Sequence, residues 1–350
     1  MKIWIDARSF SVNEKNFFNE FLKTLKSENT QNVINIYCNW ISKINNPNFN
    51  IISSKNYVSF WWEQSLFLKR LLKDNNDIVI SFEETFPIFY KNRLIQIINS
   101  LEQVLYPNIH NAKLFSKYSY LFRKKRNLKH AKKIICYHEK TKKEINEKLN
   151  IPENKIEVLK PFFYNSLPSN SLINIKNKHS ISWDYLVYNS WVWNSKNIKR
   201  LLECLKEINK TTKLSLIVLW NQASSDIEFR ELVINMWLTQ NVIFVWEIID
   251  NELWAYYNQS NGLVHPVIYD SFPFCLSEAL NYNTPIISSS LEEIESIFGK
   301  NIQYFHALSK NDMVQNIWTL LKNEKQSQNY TKILWEYSAK NFVKNLLNII

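Results

Sequence analysis

Short apolar runs alternate with amphipathic helical runs along this chain, and the alternation stops and restarts once. Lys2–Ile5, Val33–Tyr37, Ile78–Ser81, Leu94–Ile98, Ile134–Cys136 and Ile156–Leu159 read as strands. Between them, Asn16–Leu25, Gln64–Leu72, Phe115–His130 and Glu139–Leu149 read as helices. The stretch Asn165–Ser182 is rich in Ser and Asn and carries no period. The pattern then resumes with strands at Tyr185–Tyr188, Leu214–Leu219, Val242–Val245, Gly262–His265 and Ile286–Ser288, separated by helical runs. Strand–helix alternation requires parallel sheets covered by helices. The 350 residues suffice for two such units. The expected fold class is α/β, with Rossmann-like domains over residues 1–165 and 183–325, a linker at 166–182 and a C-terminal helical segment at 326–350.

The second half holds the clearest chemistry. Asp270 follows the strand Gly262–His265, and Glu278 lies on the helical run after it. One acid is therefore on a strand-exit loop and the other on the next helix. An open α/β sheet holds nucleotide ligands at such exits. Lys196 stands before another helical run, where its charge and the helix N-terminus are suited to phosphate. Asp270 and Glu278 also admit a plainer reading as a helix cap and a solvated acid. Lys196 likewise admits one as a surface cation.

Composition is unusual in one respect. There are 2 Gly and 13 Trp, whereas average usage gives about 25 Gly at this length. Trp220, Trp246, Trp191 and Trp193 follow strands, where doubly wound folds turn tightly and use glycine. A UGA codon read as glycine by the host, but printed as Trp by a standard translation, would produce this pattern. The alternative is a protein that is Trp-rich in fact.

The net charge is +11. Much of it falls in segment 113–148, which includes Arg123-Lys124-Lys125-Arg126 beside Tyr118, Tyr120, Leu121 and Phe122. Such a face suits an anionic membrane surface, and equally a solvated basic helix. No helix-turn-helix or RNP-like signature points to nucleic acid, which is not expected as a partner. Cys38, Cys136, Cys204 and Cys275 are scattered without metal-ligand spacing, so reduced thiols and no metal are expected. Residues 1–10 alternate like a strand and carry Asp6 and Arg8, unlike a secretory leader. No apolar run reaches the roughly 18 residues of a membrane helix. A cytoplasmic location, peripheral at the inner face of the membrane, is the expectation.

The stretch His265–Pro285 resembles the donor-sugar motif of retaining GT-B glycosyltransferases of family 4 (glycosyl transferases group 1), Tyr-Glu-Gly-Phe-Gly-Leu-Pro-x-x-Glu-Ala followed by Gly-Thr-Pro. Tyr188–Arg200, Asn241–Glu252 and Glu147–Leu159 are similar to further runs of that family, and replacing Trp4 by Gly gives its usual start. The resemblance implies two Rossmann-like domains facing each other across a cleft, the last helix crossing back to the first domain. It implies transfer of a mannose-like or glucose-like hexose from a GDP- or UDP-linked sugar to a lipid-linked or polysaccharide acceptor, with no further cofactor. Lys196 would then meet the donor phosphates, Glu278 the ribose hydroxyls and Asp270 the sugar near the reaction centre. Ser271, Phe272 and Phe274 would line the donor.

Departures are also plain. Pro273 replaces a glycine and has no amide to offer. Asn99-Ser100 stands for a His-Asp, leaving Asn99 and His265 as cleft candidates. Pro161-Phe162-Phe163 replaces a Pro-Asn-Gly. The alternative reading is therefore a non-catalytic GT-B relative that binds a glycan or a partner transferase.

Overall fold

The computed structural model describes residues 1–8, 15–28, 33–38, 49–53, 60–91, 93–106, 114–163, 173–190, 194–219, 226–246, 248, 250–270, 272–322 and 330–350. The chain forms two compact units, one of Met1–Tyr164 with Tyr337–Ile350 and the other of Asn165–Glu336.

The first unit holds strands β1 (Lys2–Ala7), β2 (Val33–Cys38), β3 (Phe49–Ser53), β4 (Ile78–Ser81), β5 (Leu94–Ile97), β6 (Lys133–Cys136) and β7 (Ile156–Val158). They form one sheet in the order β3-β2-β1-β4-β5-β6-β7, and every pairing is parallel. β4 is buried along its whole length, as a strand covered on both faces must be. Trp4, Val79, Leu94 and Ile134 meet Phe67, Leu71 and Phe86 in one core.

An aromatic cluster ties the chain's end to this unit. Phe162 stacks on Phe17 at 4.1 Å and meets Phe342 at 5.1 Å, while Phe163 stacks on Tyr337 at 5.1 Å. Phe162 and Phe163 thus serve as packing residues where the resembling family has Asn-Gly. The C-terminal helical segment is not one helix. It breaks into Thr331–Glu336 and Ala339–Ile349, because Ser338 caps the second helix through Asn341 N–H and bridges Phe163.

The basic run folds as the helix Leu114–His130. Much of its charge turns inward. Lys124 Nζ reaches Glu84 Oε2 at 2.6 Å, Arg123 reaches Glu63 at 3.6 Å, and Arg126 donates to the Ile88 carbonyl. Tyr118 and Phe122 are exposed. Among the described residues, no helix is long and apolar enough to cross a membrane.

The second unit holds β8 (Asp184–Tyr188), β9 (Leu214–Leu219), β10 (Val242–Val245), β11 (Gly262–His265), β12 (Ile286–Ser289) and β13 (Gln303–Phe305). Their order is β10-β9-β8-β11-β12-β13, again with every pairing parallel. Leu214, Leu216 and Val218, at strand spacing, pack with Leu201, Leu205, Phe229, Ile317 and Leu320 from helices on that face. Strand order reverses between β8 and β11. In an open α/β sheet the crevice beyond such a reversal is where ligands bind.

Candidate active site

Both strands that flank the reversal deliver polar side chains at their C-terminal ends. β8 leads into Asn189 and then a single 3-10 turn, Asn194–Lys196. Asn197 adopts a left-handed conformation, φ 54°, and starts the helix Ile198–Ile208; Asn tolerates this conformation better than most residues. Its Nδ2 donates to the Ala307 carbonyl at 2.8 Å, which fixes the turn that carries Lys196. β11 ends on His265 and leads to Asp270.

The two exits meet. Lys196 Nζ lies 3.1 Å from Asp270 Oδ2 and 3.4 Å from the Tyr269 carbonyl. His265 Nε2 lies 3.3 Å from the same Asp270 oxygen, though off the line of a hydrogen bond. Burial alone would raise the Asp270 carboxyl. The Lys196 charge and the His265 ring outweigh burial and hold it well below the usual carboxylate range. Asp270 is thus a carboxylate across the physiological range. Burial, the dominant influence, lowers His265, so the ring is neutral at neutral pH.

A second group surrounds Glu278, in the middle of the helix Phe274–Asn281. Its Oε2 accepts from Asn189 Nδ2 and from the Tyr257 hydroxyl, both at 2.9 Å. Cys275 joins the two groups. Its Sγ is 3.4 Å from His265 Nδ1. Burial, then the charges of Asp270 and Glu278, push its thiol well above the ordinary value. It is a buried thiol, not a nucleophile.

The structure therefore brings Lys196, Asp270, His265 and Glu278 to one end of the second sheet. Phe272 and Phe274 pack edge to face at 4.7 Å on the loop and first helical turn between the two acids. Ser271 lies outside the described residues. Asn99 belongs to the first unit, where its Oδ1 accepts from the Tyr137 hydroxyl at 3.0 Å. Asn189 and Tyr257 were not singled out in the sequence, and Cys275 was read there only as a reduced thiol. A signal existed for Asn189, which directly follows β8, at the strand exit where the order reverses.

Residues 174–333 match the family model of glycosyl transferases group 1. The chain is 25% identical over 249 residues to the O-antigen chain mannosyltransferase RfbU of Salmonella typhimurium strain LT2, covering 71% of this chain and 65% of that protein. The match thus spans just under two thirds of the relative. Among solved structures, sucrose-phosphate synthase from Thermosynechococcus elongatus superposes with TM-score 0.75 at 13% identity, covering 100% of this chain and 98% of that one. Anabaena Alr3699/HepE, solved in complex with UDP and glucose, superposes with TM-score 0.74 at 11% identity, covering 99% and 98%. At such identities the likeness speaks for the fold, which is GT-B.

Proposed function

We propose that this chain, which belongs to the glycosyl transferases of group 1, moves a hexose from a nucleotide sugar to a lipid-linked or polysaccharide acceptor with retention of anomeric configuration. The observation that carries this reading is the part-buried Lys196–Asp270 pair, set beside Glu278 at the strand-order reversal of the second sheet. Breaking a sugar–phosphate bond builds negative charge on the departing diphosphate. Lys196 supplies the opposing charge in a partly desolvated place. Asp270 stays ionised beside it and stabilises positive charge on the sugar. Glu278 accepts the two ribose hydroxyls. The mannosyltransferase relative supports a mannose-like hexose, and the neighbour solved with UDP and glucose supports a nucleotide-linked donor.

Calorimetry with UDP and GDP, followed by turnover of UDP-glucose and GDP-mannose, tests this reading. One nucleotide is expected to bind, and Glu278→Ala to abolish binding and turnover. If neither nucleotide binds, the transferase reading fails. Pro273 favours one alternative, a relative that keeps the fold and binds glycan without turning over donor. It precedes the helix Phe274–Asn281 with no N–H of its own and no side-chain cap. Nucleotide-independent glycan binding would identify that alternative.

A lipid-linked acceptor places the enzyme at a membrane. The exposed Tyr118 and Phe122, with Lys125 and Lys129 on the same helix, suit an anionic lipid surface. Co-sedimentation with phosphatidylglycerol vesicles, lost in Phe122→Ser, tests this face.

A further inference from the structure

We infer that Tyr257 and Asn189 are positioning residues that set the orientation of the Glu278 carboxylate for a ribose; this rests on the donor-binding reading above. Asn189 Nδ2, the Tyr257 hydroxyl and Glu278 Oε2 form a nearly equilateral triangle with all three sides 2.9 Å. The three residues come from separate elements. Asn189 follows β8, Tyr257 is on the helix Asp250–Asn258 that leads into β11, and Glu278 is on the helix that follows β11.

The donor inventory closes in one way. An amide nitrogen only donates, so Asn189 faces both oxygens as the donor. The tyrosine hydroxyl carries a single hydrogen, and the carboxylate can only accept. Tyr257 therefore accepts from Asn189 and donates to Glu278. Its phenol is fully buried. Burial first, then the Glu278 charge, raise its pKa well above the ordinary value, so the proton stays in place. Ring contact with Tyr282, centroids 5.6 Å apart, restrains Tyr257.

A carboxylate on a helix otherwise rotates among several orientations. Two donors on one oxygen select a single orientation before ligand arrives, and such preorganisation strengthens binding by lowering the ordering cost. Tyr257 and Asn189 thereby act through Glu278 and need not touch the nucleotide.

The test uses the full chain, with UDP and GDP and their 2′,3′-dideoxy forms as probes in calorimetry. Wild type is expected to prefer the ribonucleotide. Tyr257→Phe keeps the ring and removes one charged hydrogen bond, so ribonucleotide affinity should fall about tenfold while dideoxynucleotide affinity is unchanged. Asn189→Ala should act the same way. Tyr257→Phe combined with Glu278→Gln should weaken binding no further than Glu278→Gln alone. If Tyr257→Phe weakens ribo- and dideoxynucleotides equally, the residue is structural and the inference is overturned. If wild type binds ribonucleotide and Tyr257→Phe binds it equally well, the inference also fails while the donor reading stands. If wild type binds neither nucleotide, both fall together.

Discussion

Lys196 Nζ and Asp270 Oδ2 stand 3.1 Å apart, with side chains only 11% and 15% exposed. An ion pair this enclosed has little water to screen it, and it joins the exits of two strands that lie next to each other in the sheet. Removing one partner leaves the other charged and desolvated.

The first prediction concerns this pair. Lys196→Ala should destabilise the second unit by about 3 kcal/mol, since it strands the Asp270 charge. Lys196→Ala with Asp270→Asn should cost less than the sum of the two single changes, as contacting residues do. Urea unfolding of the four proteins measures the coupling, and additive costs would show the pair to be energetically silent. In the transferase reading Lys196→Ala also lowers kcat about 100-fold, the scale of one lost transition-state donor.

The second prediction concerns pH. The folded pKa of His265 lies below its ordinary value of 6.5. Between the folded and unfolded values the unfolded chain binds the extra proton, so stability rises with pH in that window and is lost as pH falls below 6.5. The slope for one proton is at most about 1.4 kcal/mol per pH unit. Around the ring, Asp270 opposes the shift, Lys196 favours it, and the Cys275 thiol meets Nδ1. Asp270, held low itself, adds a second loss only under stronger acid, below the ordinary carboxylate range. His179 of the same unit is also lowered, by burial first, so the His265 part is isolated by comparison with His265→Gln. That variant should flatten the slope below pH 6.5; an unchanged slope would assign it elsewhere.

Much of this site was legible from residue order. Asp270 and Glu278 stood out because a strand exit and the helix after it place acids where ligands bind. Lys196 stood out because it precedes a helix. The Tyr257 and Asn189 partners were not legible, because they lie 21 and 89 residues from Glu278 and only the sheet order brings them together. Strands β3 and β13 escaped because they are short and carry Asn50 and Gln303 among the apolar residues. The buried side of the basic helix escaped because charge density alone does not show that Glu84 and Glu63 wait beneath it.

The third prediction concerns Gly262 in β11. A Cβ there would stand 2.7 Å from Leu320 Cδ2 and 2.9 Å from the Pro285 carbonyl oxygen. The side chain of Leu320 can move, but the backbone oxygen accepts a hydrogen bond from Leu263 and is held between β11 and β12. Gly262→Ala should therefore cost about 1–3 kcal/mol as overpacking. A thermal midpoint equal to wild type would show that the sheet can yield.

Six described residues other than glycine have positive φ, and four of them are Asn, which tolerates it. Trp237 does not belong in that company. It has φ 62° and is 85% exposed, so no packing offsets the strain. It ends the helix Asp226–Asn235, with its own N–H bonded to the Ile234 carbonyl and the Leu238 N–H to that of Val233. This is the pairing of a Schellman terminus, whose left-handed position is usually glycine. Trp4 is out of place in another way, since its ring is wholly buried and its Nε1 has no hydrogen-bond partner. Trp246, by contrast, is well used, stacked on Phe244 with the Arg230 guanidinium 4.6 Å from its centroid. Trp237→Gly should raise stability by about 1 kcal/mol, read from urea midpoints. Peptide mass spectrometry on protein isolated from its native host is expected to show glycine at residue 237. An indole mass there would end the recoding idea, and the strain would then be a property of the native protein.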